Sequence, residues 1–201
     1  MTMDRAGWPF VLGLVVVTLA VAWFVPALAV IGVVLLGFTL NFFRDPERSV
    51  PEAPDVLISP ADGRIIRANA GRVSIFMNVF NVHVCRTPVA GRVTSVKHEP
   101  GRFLAAMKAE ASEQNERTTI DIQPPAGAPV RFVLVAGLVA RRIVCRVAAG
   151  RELVAGDRVG IIRFGSRVDL DLPAGTKPAV RVGDRVVAGE TIVARRVSQP
   201  A

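Results

Sequence analysis

The hydrophobic pattern divides the chain into two unequal parts. Ala6 to Phe43 carries no charged side chain, whereas beyond Arg44 charges, glycines and prolines are interspersed with apolar residues throughout. A single helix over the uncharged run would extend about 57 Å, nearly twice the ~30 Å hydrocarbon core of a bilayer. Pro26 splits the run into residues 8–25 and 27–43, and a proline is where a helix kinks or stops. The pattern therefore predicts two short apolar helices folded as a hairpin, a membrane anchor over residues 1–43. Arg5 precedes the run and Arg44 and Arg48 follow it, so the positive-inside bias puts both ends on the cytoplasmic face of the cell membrane. A secretory signal peptide is the competing reading, because Arg5, residues 8–25 and Ala27-Leu28-Ala29 imitate its three parts. Cleavage after Ala29 would leave a second apolar segment, 30–43, at the new terminus, which favours the anchor.

Residues 44–201 read mainly as short strands. Stretches 57–58, 64–68, 72–79, 92–98, 118–122 and 130–139 are rich in Val and Ile and bounded by Gly, Pro or Asp. One short helix is predicted over 103–112 (FLAAMKAEAS), and 123–129 (QPPAGAP) reads as a hairpin loop. The expected fold class is a mainly β, β-rich α+β domain preceded by the N-terminal helical hairpin. Near the C-terminus, 151–162 (RELVAGDRVGII) and 181–193 (RVGDRVVAGETIV) echo one another around Gly-Asp and Gly-Glu turns. The second resembles the strand–turn elements of biotinyl and lipoyl domains. Val186-Val187-Ala188 fills the hairpin where such a domain carries its modified lysine, so a swinging-arm carrier is disfavoured.

Charge adds a partner class. The net charge is +8, and the first 43 residues hold one acid and one base, so the excess belongs to residues 44–201. A basic domain beside a bilayer is drawn to anionic headgroups. Nucleic acid is the other usual partner of basic proteins. Here Tyr is absent, aromatics are only 6%, and no basic block or stacking platform occurs, which argues against it. Cys85 and Cys145 are far apart with no CxxC spacing. Two reduced, mostly buried thiols are expected, with no disulfide framework and no metal site.

Five segments carry candidate chemistry: 41–46 (NFFRDP), 59–63 (SPADG), 76–91 (FMNVFNVHVCRTPVAG), 135–145 (VAGLVARRIVC) and 163–172 (RFGSRVDLDL). Taken together, in order and at compatible spacing over 41–173, they resemble phosphatidylserine decarboxylase in its short, proenzyme-type (type A) form. The requirements of the chemistry agree. An amino-acid decarboxylase needs an electron sink for the carbanion left when CO2 departs, and pyridoxal phosphate on a lysine is the common one. Lys97, Lys108 and Lys177 are the only lysines, and none stands beside a glycine-rich phosphate loop. A pyruvoyl group made from a serine of the chain is the other solution, with neither pyridoxal phosphate nor metal.

The resemblance implies that the chain cuts itself between Gly165 and Ser166 into a β chain, 1–165, and an α chain, 166–201, which stay associated. Ser166 becomes the pyruvoyl group, which forms a Schiff base with phosphatidylserine and releases phosphatidylethanolamine. Glycine before the serine leaves the attacked carbonyl open and tolerates unusual backbone geometry. A serine hydroxyl needs a base within hydrogen-bond reach, and the resemblance gives that role to His83, with Asp62 orienting the imidazole. His98 is expected at a structural strand position. Without the resemblance, His83 reads as an ordinary core histidine and Asp62 as a turn residue before Gly63. Asn115 also lies in a segment similar to the family's and is a candidate for the headgroup pocket. Arg141 and Arg142 are candidates for the lipid phosphate, since guanidinium matches phosphate oxygens in pairs. Larger family members carry Gly-Ser-Thr and a second histidine three residues after the first. Here Arg167 follows Ser166 and Arg86 stands in the second histidine's place, so the two histidines' work falls to His83 or is reassigned.

The partners expected are phosphatidylserine, anionic membrane lipid and the sister chain of the same precursor. A homo-oligomer is compatible with this reading and nucleic acid is not. Two rival functions fit parts of the sequence. A non-catalytic membrane-anchored adaptor with a biotinyl-like β domain would remain uncut and indifferent to loss of His83. A membrane-tethered serine hydrolase using Ser166, His83 and Asp62 lacks the GxSxG elbow.

Overall fold

The computed structural model describes residues 2–107, 110–138, 142–163 and 165–196. The chain forms two units, Met1–Glu47 and Arg48–Ala201. In the first, helices α1 (Trp8–Phe24) and α2 (Ala29–Phe42) are joined through a 3-10 turn at Pro26–Leu28. Pro9 falls in the first turn of α1, where a missing N–H breaks no helical bond. Gly32 of α2 lies against Thr18 of α1, and a Cβ there would stand 2.3 Å from Thr18 Oγ1. Small residues at a crossing let two apolar helices approach closely. Thr18 satisfies its hydroxyl within its own helix by donating to the Leu14 carbonyl (2.7 Å). Strands β1 (Thr2–Met3) and β2 (Arg44–Asp45) pair antiparallel and bring the two ends of the hairpin together. Leu19, Trp23, Phe24, Val30 and Val34 are exposed on the helices. Arg5–Phe24 is long and apolar enough to cross a membrane, and Pro26–Phe42 is shorter.

The second unit is built of strands: β3 (Val56–Ile58), β4 (Gly63–Asn69), β5 (Arg72–Met77), β6 (Val84–Arg86), β7 (Gly91–Glu99), β8 (Arg117–Gln123), β9 (Val130–Val135), β10 (Ile143–Cys145), β11 (Glu152–Leu153), β12 (Arg158–Ile162), β13 (Ser166–Asp171), β14 (Thr176–Pro178), β15 (Arg185–Val186) and β16 (Ile192–Arg196). Among the described residues of this unit the one helix is α3 (Ala111–Gln114). Eight strands form an antiparallel sheet in the order β11-β7-β8-β9-β13-β5-β4-β15, and two three-stranded sheets run β10-β12-β6 and β14-β16-β3. One face of the large sheet carries the core. Val73, Ile75 and Met77 of β5, Val168 and Leu170 of β13, Phe132 and Leu134 of β9, and Ile120 and Ile122 of β8 are all buried there. The two-residue period of a strand explains the pattern. Near the middle of the sheet the opposite face is covered as well: Ser74, Arg167 and Asp169 are also buried.

The mainly β fold class expected from the pattern is the one found, with strands at all six expected positions. The expected helix over 103–112 is not. Among the described residues there only Ala111–Gln114 is helical, and residues 103–107 form an irregular segment. The physical reason is competition for its backbone groups. Asn115 bonds both the N–H and the carbonyl of Leu104, and Arg167 bonds the Ala106 carbonyl, tying these backbone groups to side chains outside the segment. The stretch 130–139 is a strand only to Val135. Cys85 and Cys145 both stand in register with Gly160, on opposite sides of β12. Two strand spacings, about 10 Å, exceed the reach of a disulfide. Both are free thiols, and burial raises the pKa of each.

Phe132 is fully buried and sits in register between Ile120 and Leu170. Phe132→Ala is expected to cost about 3–5 kcal/mol and to lower the thermal midpoint in detergent by about 10 °C. A shift of a degree or two, followed by circular dichroism, would contradict this placement of the core.

Candidate active site

Ser166 opens the central strand β13 and lies opposite Met77 of β5. It is completely buried, and its Oγ donates to Met77 Sδ (3.4 Å). Gly165 has φ +58°, in the left-handed region, with open space where a Cβ would go. Its requirement for glycine is therefore conformational, since an L side chain in that region costs about 1–2 kcal/mol. Gly137 shows the opposite case. A Cβ on Gly137 would stand 2.0 Å from the Gly165 carbonyl oxygen and 3.2 Å from the Ala106 Cβ. The carbonyl expected to be attacked is thus seated on the backbone just beyond β9, in space that only glycine leaves.

His83 is fully buried. Its Nδ1 lies 2.9 Å from the Asn81 carbonyl. A carbonyl can only accept, so the proton sits on Nδ1 and Nε2 keeps the basic lone pair. β6 pairs with β12 with Val84 opposite Ile161, and the Ile162 N–H donates to the His83 carbonyl (3.4 Å). That register sets His83 beside Ile162, three residues before Gly165. His98 lies on β7, exposed, with Nδ1 3.0 Å from Thr118 Oγ1.

Asp62 ends the turn between β3 and β4. Its oxygens lie 3.0 and 2.9 Å from Arg48 Nη2, and its Oδ1 also accepts the Ala188 N–H (2.8 Å). Arg48 reaches Glu190 at 3.9 Å as well. The carboxylate is thereby fixed between a partly buried guanidinium and the β15–β16 turn. Sequence reasoning missed Arg48 and noticed it only as positive charge following the apolar run.

Asn115 is buried. Its Nδ2 donates to the Leu104 and Ala136 carbonyls (2.8 and 2.7 Å) and its Oδ1 accepts the Leu104 N–H (2.9 Å). Both amide protons are committed, so Asn115 pins the 102–107 segment to the end of β9, next to Gly137. Arg167 works from the same side. Its guanidinium donates to the Ala106 carbonyl (3.1 Å) and, through Nη2, to Asp169 Oδ2 (3.1 Å), with Nε in ion-pair contact 3.0 Å from Oδ1. Ser112 Oγ donates to Asp169 Oδ2 (2.7 Å). Burial lowers the Arg167 pKa, and the Asp169 charge opposes that shift. Arg86 is also buried and donates to the Gly156 carbonyl (2.9 Å). Arg142 is exposed, and Arg141 lies outside the described residues. Among the described residues no three His, Cys, Asp or Glu side chains gather as metal ligands. Neither Gly137 nor Arg167 stood out in the sequence as a site residue, because a glycine in a Val-Ala-Gly run and an arginine in a strand have many ordinary roles.

The phosphatidylserine decarboxylase family matches this chain over residues 35–194. A phosphatidylserine decarboxylase proenzyme of Oleidesulfovibrio alaskensis is 49% identical over 189 residues, covering 89% of this chain and 85% of the relative. One of Desulfotalea psychrophila is 51% identical over 168 residues, covering 78% of each. With a left-handed glycine, a buried serine at the head of the central strand and a buried histidine held beside the strand that leads to them, the chain belongs to the phosphatidylserine decarboxylase family.

Proposed function

We propose that this protein is a membrane-anchored phosphatidylserine decarboxylase that generates its own pyruvoyl group by breaking the Gly165–Ser166 bond, and that residues 1–43 hold residues 44–201 at the cytoplasmic face of the membrane. The observation that carries the reading is the seat of the Gly165 carbonyl on Gly137, directly before the buried Ser166. Glycine takes this left-handed turn without strain, so the carbonyl is held by its packing against Gly137.

His83 Nε2 is the base that takes the Ser166 hydroxyl proton. Ser166 Oγ then forms a bond to the Gly165 carbonyl carbon, and the C–N bond breaks as the Ser166 nitrogen takes up a proton, which turns the amide into an ester. Loss of the Ser166 Cα proton expels the carboxylate of residue 165. The dehydroalanine left at position 166 takes up water and releases ammonia. The residues present fit the product: position 166 is enclosed, and the strand pairing that holds it continues from Arg167 to Asp171 on both sides. The pyruvoyl group supplies a ketone that captures the substrate amine and an electron sink for loss of CO2. Around it, Asn81 fixes the His83 tautomer, Arg48 holds Asp62, and His83 returns a proton. Asn115 keeps the 102–107 segment closed over Gly137. Arg142, which is exposed, is available to anionic headgroups at the surface.

Ser166→Ala is expected to leave a single chain with no decarboxylase activity, whereas wild type separates into 1–165 and 166–201 on a denaturing gel. A cut chain in the variant would place the reaction elsewhere. Gly137→Ala is expected to slow the cut at least tenfold, because the new Cβ displaces the carbonyl it would touch. Pulse-labelled precursor followed over time reads that rate, and unchanged conversion would remove Gly137 from the account.

A further inference from the structure

The face of the large sheet opposite the core carries arginines that the cleavage chemistry does not use. Arg185 of β15 pairs directly with Arg64 of β4. Side chains directly opposite in an antiparallel pair have Cβ atoms about 5 Å apart, and like charges so placed are destabilising. A third arginine is brought to the same face by a bulge. Between β4 and β5 the register shifts: Arg64 stands opposite Phe76, but Arg67, three residues on, stands opposite Ser74, two residues back. Without the extra residue Ile66 would hold that place and Arg67 would point to the core. Bulges of this kind re-aim side chains beside active sites.

None of the three forms an ion pair among the described residues. Nearby carboxylates are already engaged. Asp62 is held by Arg48, Asp169 by Arg167, and Asp184 accepts the Arg181 N–H (2.8 Å). Arg64 and Arg185 line a groove of about 520 Å³ with Asp62, Ile66, Phe76 and Phe80. It adjoins a second hollow of about 400 Å³, lined by Arg67, Arg167, Ser74 and Ser112, and the two share Ile66 and Met107. Asn81, whose carbonyl holds His83, also lines the first groove. Phe80 and Met107 are 66% and 65% exposed. The groove thus has cationic walls, apolar floor and rim, and one end at the segment that carries His83.

We infer that this groove binds the phosphodiester of the lipid substrate, with Arg64 and Arg185 gripping its oxygens from two adjacent strands and Arg67 adding charge behind them. Guanidinium forks match phosphate oxygens in pairs. Arg64 shares a cross-sheet row with Phe76 and Arg167. That row puts Arg64 two strands, about 10 Å, from Arg167, the residue that follows Ser166 at the head of β13. The inference rests on the proposed lipid decarboxylation and deepens it by assigning the phosphate contact to residues other than Arg141 and Arg142.

The test uses the full chain in detergent with Arg64→Gln, Arg185→Gln and the double variant. Cleavage into 1–165 and 166–201 is followed first, because it depends on Ser166 and His83 and not on these exposed arginines. Normal cleavage then separates a failure of this inference from a failure of the self-processing reading. On short-chain phosphatidylserine each single variant is expected to raise KM about tenfold with kcat within about twofold. On an uncut Ser166→Ala background, titration with the same lipid is expected to lose affinity in parallel. Unchanged KM and affinity in a cleaved, folded double variant would overturn the assignment. Binding of inorganic phosphate with no binding of the lipid would also overturn it, by showing a free-anion site instead.

Discussion

The Gly165 carbonyl rests on the backbone of Gly137, with 2.0 Å between its oxygen and the point where a Cβ would stand, and the chain passes from it directly into the central strand of the large sheet. Other features follow from that seat. Gly165 must take the left-handed conformation to turn into β13. Gly137 must lack a side chain. The segment 102–107 must close over both, and Asn115 and Arg167 supply the bonds that make it do so in place of a helix. The Ser166 hydroxyl and the preceding carbonyl are joined by the chain, so what the pairing of Ser166 with Met77 adds is restricted orientation.

Two close ion pairs mark the domain: Arg167 with Asp169, both buried, and Arg48 with Asp62, both partly buried beside the groove. Removing one member of such a pair leaves an uncompensated charge, which is far more costly than losing both. The two departures from the larger enzymes belong to this pattern. Arg167, in the place of a threonine, anchors the covering segment. Arg86, in the place of a second histidine, bonds to the Gly156 carbonyl and leaves His83 as the buried imidazole beside β12. The same sheet face presents Arg64, Arg67 and Arg185 without carboxylate partners, and that contrast between paired and unpaired arginine separates scaffold from binding surface.

Much of this was legible in the chain. The uncharged run split at Pro26 announced the two helices, and Val- and Ile-rich stretches between turn residues announced the strands, because both signals are local and periodic. Gly165, Ser166, His83 and Asp62 were picked out only through the likeness of five ordered segments to the family. Three things were not legible. The helix expected over 103–112 had the right composition, but Asn115, just beyond it, and Arg167, distant in sequence, bond its backbone groups. Gly137 owes its importance to a carbonyl 28 residues away, and no local pattern encodes that contact. The bulge that turns Arg67 outward depends on how β4 registers against β5, and alternation alone assigns Arg67 to the wrong face.

Accurate mass measurement of the purified, active wild-type protein tests the central claim most directly. The account predicts two chains, with the smaller one beginning at position 166 and lighter than its serine form by the mass of ammonia. A single intact chain in fully active material, or a small chain beginning with an unmodified serine, would contradict it.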